Sequence, residues 1–146
     1  MVVEGLLLPA PDEDSGPFWE GTLLGELRMQ ACAACGRKRF PPRPMCPHCQ
    51  STSSVWEPVS GRGTIWSFVV AHPPLLPAYA ALAPYNVVVV ALDEDPTLRL
   101  VGNLVATAGG PINEVDPATI RIGEPVRVVF DHVADDIALP RWIRAS

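Results

Sequence analysis

The four cysteines constrain the fold of this chain more than any other feature, because all of them lie between positions 32 and 49. They form two Cys-x-x-Cys pairs, Cys32 with Cys35 and Cys46 with Cys49, separated by ten residues. Two intervening residues allow one tight turn to direct both thiolates at a single ion, and two such turns supply four ligands. The spacing therefore predicts a closed tetrahedral metal site.

Zinc is the predicted metal, and its predicted role is structural, because four thiolates leave no coordination position open for water or substrate. Rubredoxin-like iron stays open as an alternative, since the same ligands bind iron, and a disulfide pair is a third interpretation. His48 is kept outside the ligand set because four sulfurs already complete the shell. Five basic residues and no acid lie between positions 27 and 56, and we expect their charge to offset that of the metal thiolates.

Composition excludes several classes of protein. Seventeen prolines and eleven glycines in 146 residues argue against long helices, while 48% hydrophobic residues are enough for a folded core. The net charge of −5 disfavours non-specific binding to duplex nucleic acid. The longest apolar runs, such as 85–92, are far shorter than the ~20 residues of a membrane span. The N-terminus has no basic region of a signal peptide, so we expect a cytoplasmic protein.

The chain outside the cysteine region reads as an extended arm, one short helix and a set of strands. The arm covers residues 1–14, and the helix begins at Ser15-Gly16-Pro17, where Ser15 can cap free backbone amides. The β-rich, turn-bounded runs predict five strands. These are 63–72, 85–92, 98–105, 126–132 and 137–143, with a helical turn at 116–120 between the third and fourth.

Five short strands with one interruption predict a small, closed or partly closed barrel of the OB-fold type. An immunoglobulin-like sandwich is the competing all-β fold, but it needs about seven strands. The predicted fold is thus mainly β, with a short N-terminal helix, a zinc ribbon and a five-stranded barrel. The predicted domains are the arm and helix at 1–29, the ribbon at 30–54 and the OB-fold at 55–146.

The order of these motifs resembles a known family. A helix with Pro-Phe-Trp-Glu precedes the Cys-x-x-Cys-Gly knuckle, the connector Phe40-Pro41-Pro42-Arg43 and Cys46-Pro47-His48-Cys49. Gly61-Arg62-Gly63-Thr64 then opens a strand. Over about residues 15–143 the chain resembles the acyl-CoA-associated OB-fold family with a rubredoxin-like zinc ribbon, also known as domain of unknown function 35.

The resemblance implies a function carried out with a partner. Members of this family are non-catalytic subunits or fused domains that associate with thiolase-superfamily enzymes, including the steroid side-chain aldolases of actinobacteria. The expected assembly is a two-plus-two heterotetramer in which the partner supplies the carbon–carbon chemistry and this chain helps to enclose an acyl-CoA. We therefore assign no catalytic residue to the chain, whose cysteines are all committed to metal. Lipid or steroid side-chain catabolism is the expected setting.

Several residues are candidates for contact with the partner or with acyl-CoA. Phe18 and Trp19, on a short helix, are suited to packing on their own domain or to anchoring a partner. His72 opens a proline-rich apolar loop that would form part of an acyl-CoA channel, and Arg62 is available for a phosphate. The full candidate set is Phe18, Trp19, Arg62, His72, Tyr79 and Tyr85.

Two further interpretations concern the barrel. A module that binds single-stranded nucleic acid is the alternative function, but residues 86–92 and 98–105 of strands two and three contain only one basic residue, Arg99, and no ring that could stack on a base. Asp131, Asp135 and Asp136 lie near the last hairpin and are interpreted as solvated turn residues that keep a sheet edge polar. A pair of catalytic carboxylates is the less favoured interpretation of the same three acids.

Overall fold

The computed structural model describes residues 5–145 as a short helix and two antiparallel sheets. A three-stranded sheet precedes a five-stranded sheet along the chain. A second helix, of four residues, connects the first two strands of the five-stranded sheet. The elements are α1 Gly16–Leu23, β1 Leu27–Cys32, β2 Lys38–Arg39, β3 Ser54–Val59, β4 Arg62–Ala71, α2 Pro77–Ala80, β5 Tyr85–Leu92, β6 Arg99–Gly102, β7 Pro125–Ala134 and β8 Ile137–Arg144. The chain is thus mainly β, as predicted.

Helix α1 has the predicted start and is eight residues long, but the predicted cap is wrong. The Ser15 side chain makes no capping hydrogen bond to the helix, because it turns back to Asp12. The Ser15 N–H and hydroxyl donate to Asp12 Oδ1 at 2.8 and 3.0 Å. Glycines inside so short a helix give it little intrinsic stability, so its position depends on the packing of Phe18.

The ribbon is a three-stranded antiparallel sheet in the order β2-β1-β3. Strand β1 pairs along its whole length with β3, from Leu27 opposite Val59 to Cys32 opposite Ser54. Strand β1 spans the predicted domain boundary at 29/30, and strand β3 spans the predicted boundary at 54/55. The domain limits stay a prediction.

The five-stranded sheet has the order β6-β5-β4-β7-β8 and curls into a nearly closed barrel. The seam runs beside β8, where Leu104 and Trp142 form a parallel bridge. The Trp142 N–H donates to the Asn103 carbonyl at 3.0 Å, and the Val105 N–H donates to the Trp142 carbonyl at 2.8 Å. This topology confirms the predicted OB-fold, with the expected helical turn, Pro117–Thr119, between β6 and β7.

One hydrophobic core joins the helix, the ribbon and the barrel. Leu27 and Met29 of ribbon strand β1 are fully buried in the same cluster as the barrel residues Val88 and Val90. Phe18 of α1 belongs to this cluster, and Phe40 of the ribbon connector packs against it. The ribbon therefore relies on the barrel for its core as well as on a metal.

Candidate metal centre and partner surface

The two cysteine pairs fold into knuckles of the same backbone geometry. The Gly36 N–H donates to the Cys32 carbonyl at 2.9 Å, and the Gln50 N–H donates to the Cys46 carbonyl at 3.0 Å. Gly36 and Gln50 occupy equivalent places, with φ of 77° and 63°. Glycine adopts this left-handed conformation at little cost, whereas Gln50 adopts it at some cost that a metal-closed knuckle can offset.

The four sulfurs lie close enough together to coordinate one ion. Cys32 Sγ and Cys49 Sγ are 3.5 Å apart, Cys35 Sγ and Cys46 Sγ are 3.7 Å apart, and all four sulfurs lie within 4.8 Å of one another. A tetrahedral zinc site with Zn–S bonds of about 2.3 Å requires sulfurs roughly 3.8 Å apart. The donor set fits structural zinc, and the metal would close the two knuckles on each other.

The clustered thiols differ in acidity: the pKa is lowered at Cys32 and Cys46 and raised at Cys49. The Cys35 N–H donates to Cys32 Sγ at 3.4 Å and, with the other backbone amides of the turn, lowers the pKa of Cys32 to about 6. The amide of Cys49 likewise lowers the pKa of Cys46. For Cys49 the Ser51 N–H acts in the same direction, but the neighbouring sulfurs, Cys32 first, raise its pKa to about 11. A bound metal has to displace the proton that the clustered thiols retain.

Several basic residues around the knuckles form ion pairs or hydrogen bonds that the sequence does not predict. Arg28 pairs with Glu26 at 2.7 Å, and Lys38 pairs with Glu57 at 3.2 Å; both acids lie just outside the acid-free stretch. Arg39 is buried and donates to the Arg43 carbonyl. The expected excess of positive charge around the thiolates is therefore smaller than a count of residues indicates.

A groove of about 460 Å³ separates the first knuckle from the β5–β6 turn. Arg37 and His48 line one side, where Arg37 Nη1 lies 2.8 Å from His48 Nδ1. Glu94 and Asp95 line the other side, and hydrogen bonds from Ser60 and Thr97 hold the pKa of these carboxyls below their ordinary values. Burial opposes the effect at Glu94 without reversing it. Two ionised carboxylates disfavour a phosphate at this end of the ribbon.

A second groove, of about 350 Å³, has mostly apolar walls and lies where helix, ribbon and barrel meet. The rings of Trp19 and Phe40 form one wall, together with the edge of Phe18. Phe18 itself is only 4% exposed and packs edge to face on Trp19, with ring centroids 4.9 Å apart. Residues of strands β6 and β8 complete the lining. The two arginines of this groove are Arg99 and Arg141.

The other four candidate residues are not among those that line this groove. Arg62 is exposed at the start of β4, and His72 is exposed directly after the same strand. The Tyr79 hydroxyl accepts a hydrogen bond from the Leu7 N–H at 2.9 Å, which attaches the N-terminal arm to α2. Tyr85 packs against a small cluster of Val105, Ile112 and Val129. The structure therefore brings Phe18 and Trp19 together at the groove and places His72 next to Ala71, which lies opposite Tyr85. The contact roles of all six residues stay predictions.

Asp131 is where the sequence interpretation is wrong. It is 2% exposed and lies 3.5 Å from Arg141, so it is a buried partner of an arginine and not a solvated turn residue. Arg141 also donates to Asn103, and burial lowers the pKa of its guanidinium. Val129, Asp131 and Val133 alternate along β7 and are all buried, a signal that this face of the strand, opposite to the one that carries Val126 and Val128 in the main core, is also covered.

Comparison with known proteins identifies the family. A model of the ChsH2 C-terminal OB-fold domain matches residues 56–131, and a model of the ChsH2 rubredoxin-like zinc ribbon domain matches residues 19–55. The chain belongs to the ChsH2 family. The zinc ribbon match covers all four clustered cysteines, which supports structural zinc in this ChsH2-family chain.

Curated relatives fall into two groups by length. A probable enoyl-CoA hydratase alpha subunit of Thermomonospora curvata is 38% identical over 90% of the chain, which spans 38% of that protein. The 3-oxo-4,17-pregnadiene-20-carboxyl-CoA hydratase alpha subunit of Mycobacterium tuberculosis is 33% identical over 95% of the chain, which spans 39% of that protein. A DUF35 domain-containing scaffold protein of Methanothermobacter thermautotrophicus is 33% identical over 72% of the chain and 71% of its own length.

A solved structure resembles the whole fold. The structure titled Ltp2-ChsH2(DUF35) aldolase contains a chain that is 35% identical and superposes with a TM-score of 0.81. The match covers 95% of the present chain and 100% of that chain. The arrangement of ribbon and barrel in this ChsH2-family chain is thus the same as in a chain of that aldolase structure.

Proposed function

We propose that this chain is a non-catalytic subunit that binds a thiolase-superfamily aldolase partner and helps to enclose a steroid side-chain acyl-CoA. The observation that carries the proposal is the full-length likeness to the ChsH2(DUF35) chain of an Ltp2 aldolase. The scaffold name of the archaeal relative supports the same role. The hydratase names belong to proteins more than twice as long as the region they share with this chain.

Chemistry is assigned to the partner for a physical reason. A thiolase-type site needs a cysteine nucleophile beside a base, and all four cysteines of this chain lie in the metal cluster. When bound, zinc would hold the ribbon in shape through Cys32, Cys35, Cys46 and Cys49, with no position left for a substrate. The residues of this chain would act by positioning the thioester and excluding water from the partner's active site.

The apolar groove is the proposed place for part of the acyl group. Its volume of about 350 Å³ falls within the ~300–1,000 Å³ usual for ligand pockets, and Trp19, Phe40 and Leu100 give it apolar walls. The nearby arginine Arg99 provides a positive charge at its edge. We include a two-plus-two assembly, acyl-CoA as the bound substrate and a cytoplasmic location in the proposal; in the described part of the chain no helix is long and apolar enough to cross a membrane.

Reconstitution with the Ltp2 subunit of the solved complex tests this function. Size-exclusion chromatography with light scattering should give one complex with two copies of each chain, and cleavage of a steroid acyl-CoA should require both. The matched control is the Trp19→Ala variant, which should still form the complex but turn over the substrate with a raised KM. Turnover of a thioester by the isolated chain, or failure of the chain to bind Ltp2, would contradict the proposal.

A further inference from the structure

Strand β5 is apolar on both of its faces. Its inward residues Val88, Val90 and Leu92 are completely buried in the barrel. Its outward residues include Val87 and Val89, which are half-buried and belong to neither hydrophobic cluster of the described residues. A strand whose outer face meets water normally alternates apolar with polar residues. The sequence of β5 is therefore that of a strand covered on both sides.

The neighbouring strands extend this apolar surface. Val69 of β4 lies opposite Val87, and Val101 of β6 lies opposite Val89; both Val69 and Val101 are 62% exposed. Trp66 is 51% exposed, and its ring lies 3.8 Å from the guanidinium carbon of Arg99. We call this surface the valine face. It consists of Trp66, Val69, Val87, Val89 and Val101.

The charges beside the valine face are positive and unpaired. Arg62 of β4 lies directly opposite Arg127 of β7, and within residues 5–145 neither guanidinium has an ion pair or a hydrogen bond. Like charges at opposed positions of a sheet are destabilising, so a pair left this way is expected to meet anions from elsewhere. Arg99, held on Trp66, adds a third cation.

This charge distribution decides between two occupants. Strands β4, β5 and β6 contain no Asp or Glu, so a second copy of the chain meeting this face would bring arginines against arginines. In the following turn Glu94 is bound by Ser60 and Asp95 by Thr97, while Asp93 is exposed beyond the end of β5 and is not part of the valine face. A different protein with an apolar strip bordered by carboxylates fits the surface better.

We propose that the valine face is the surface on which the aldolase subunit docks, with carboxylates of that subunit against Arg62, Arg127 and Arg99. This inference rests on the proposed function and specifies which side of the barrel binds the aldolase subunit. Val101 and Arg99 also line the apolar groove, so docking here places the partner at the mouth of that groove. The α2 loop with His72 lies outside the valine face and is not needed for docking.

The test measures binding of the full chain to the Ltp2 subunit with paired variants. Val69→Asp with Val101→Asp should weaken binding about 100-fold, because two carboxylates enter the centre of an apolar contact. Leu24→Asp is the matched control, since Leu24 is 75% exposed and lies at the end of α1, outside the valine face, and its affinity should equal that of wild type. Arg62→Glu with Arg127→Glu should weaken binding about 10-fold and reduce its dependence on salt.

Each outcome separates the two proposals. If wild-type chain binds Ltp2 and the valine variant binds equally well, the valine face is not the docking surface while the proposed function stands. If wild-type chain does not bind Ltp2, the proposed function fails. If wild-type chain forms a dimer by sedimentation equilibrium that the valine variant abolishes, a second copy occupies the face. Zinc content and circular dichroism equal to wild type establish that each variant is folded.

Discussion

The carboxylate of Asp131 lies 3.5 Å from the Nε of Arg141, and both residues are buried where β7 and β8 pair. The other side of Arg141 reaches Asn103, so the ion pair is linked to the seam that closes the barrel. Such a pair gives little net stability compared with apolar residues, but removal of one partner leaves a buried charge. The stability of the barrel should therefore fall when Asp131 or Arg141 is replaced singly, and fall less when both are replaced by apolar residues.

We expect Asp131→Asn to lower the free energy of unfolding by about 3–5 kcal/mol, because it leaves the buried Arg141 guanidinium with its hydrogen bond to Asn103 but without a carboxylate partner. The double variant Asp131→Leu with Arg141→Met should recover most of that loss. Urea denaturation followed by tryptophan fluorescence measures both. The control is Glu57→Gln, which breaks the more exposed pair with Lys38 and should cost at most about 1 kcal/mol. A double variant less stable than Asp131→Asn would argue against the ion pair as the cause.

Asn86 should matter for barrel closure more than any exposed amide. Its side chain is completely buried, donates to the Leu104 carbonyl at 2.9 Å and accepts from the Leu104 N–H at 2.6 Å. Asn86→Ala should cost about 1–3 kcal/mol for each orphaned backbone group and accelerate hydrogen exchange at Leu104. The exposed Asn113→Ala should change neither quantity. Unchanged exchange at Leu104 in the first variant would mean that the seam is held by other contacts.

Loss of the metal should affect the barrel as well as the ribbon. Cys46→Ser removes one of four ligands, and we expect elemental analysis to fall from one zinc per chain to well below one. Because Leu27 and Met29 lie in the common core, thermal unfolding of the entire chain should shift to lower temperature. His48→Ala should keep full zinc content, since His48 is not among the clustered ligands. A Cys46→Ser protein with wild-type melting would contradict the shared core.

Glu94 should carry a small acid-dependent contribution to stability. The Ser60 N–H and hydroxyl bind its carboxylate and hold its pKa below the ordinary value of 4.5, although burial acts in the opposite direction. A pKa that is lower in the folded state means that the contribution is present above pH 4.5 and is lost as pH falls through the folded pKa. NMR titration of the Glu94 carboxyl should show the low pKa in wild type. In Ser60→Ala the value should move back toward 4.5, and a value unchanged by this variant would exclude the hydroxyl as a cause.

The sequence predicts most of the architecture because its signals are local. Two Cys-x-x-Cys turns specify the metal cluster, and strand β5 was predicted with the observed limits because its valines and flanking turns are unambiguous. The third strand was predicted at 98–105 but ends at Gly102, because Asn103–Val105 pair with Trp142 across the seam. A contact between residues so far apart in the chain leaves no local pattern.

The candidate site was predicted less completely for the same reason. A search of strands two and three for a ring beside Arg99 misses Trp66, since that ring comes from the preceding strand. The apolar groove joins Trp19, Phe40 and Leu139, residues from three regions of the sequence, so only the folded chain defines it. Phe18 and Trp19 looked equivalent in sequence, but only Trp19 lies largely at the groove wall while Phe18 fills the core.

The burial of Met29 beside barrel valines has an evolutionary consequence. If the ribbon or the barrel were separated and joined to another protein, apolar core residues would become exposed to water on both parts. We therefore expect recombination to transfer the ribbon and the barrel together as one unit, either as a separate chain or as part of a longer polypeptide. Diversification within such a unit is confined to its outer surfaces, where a new partner can be acquired without rebuilding the interior.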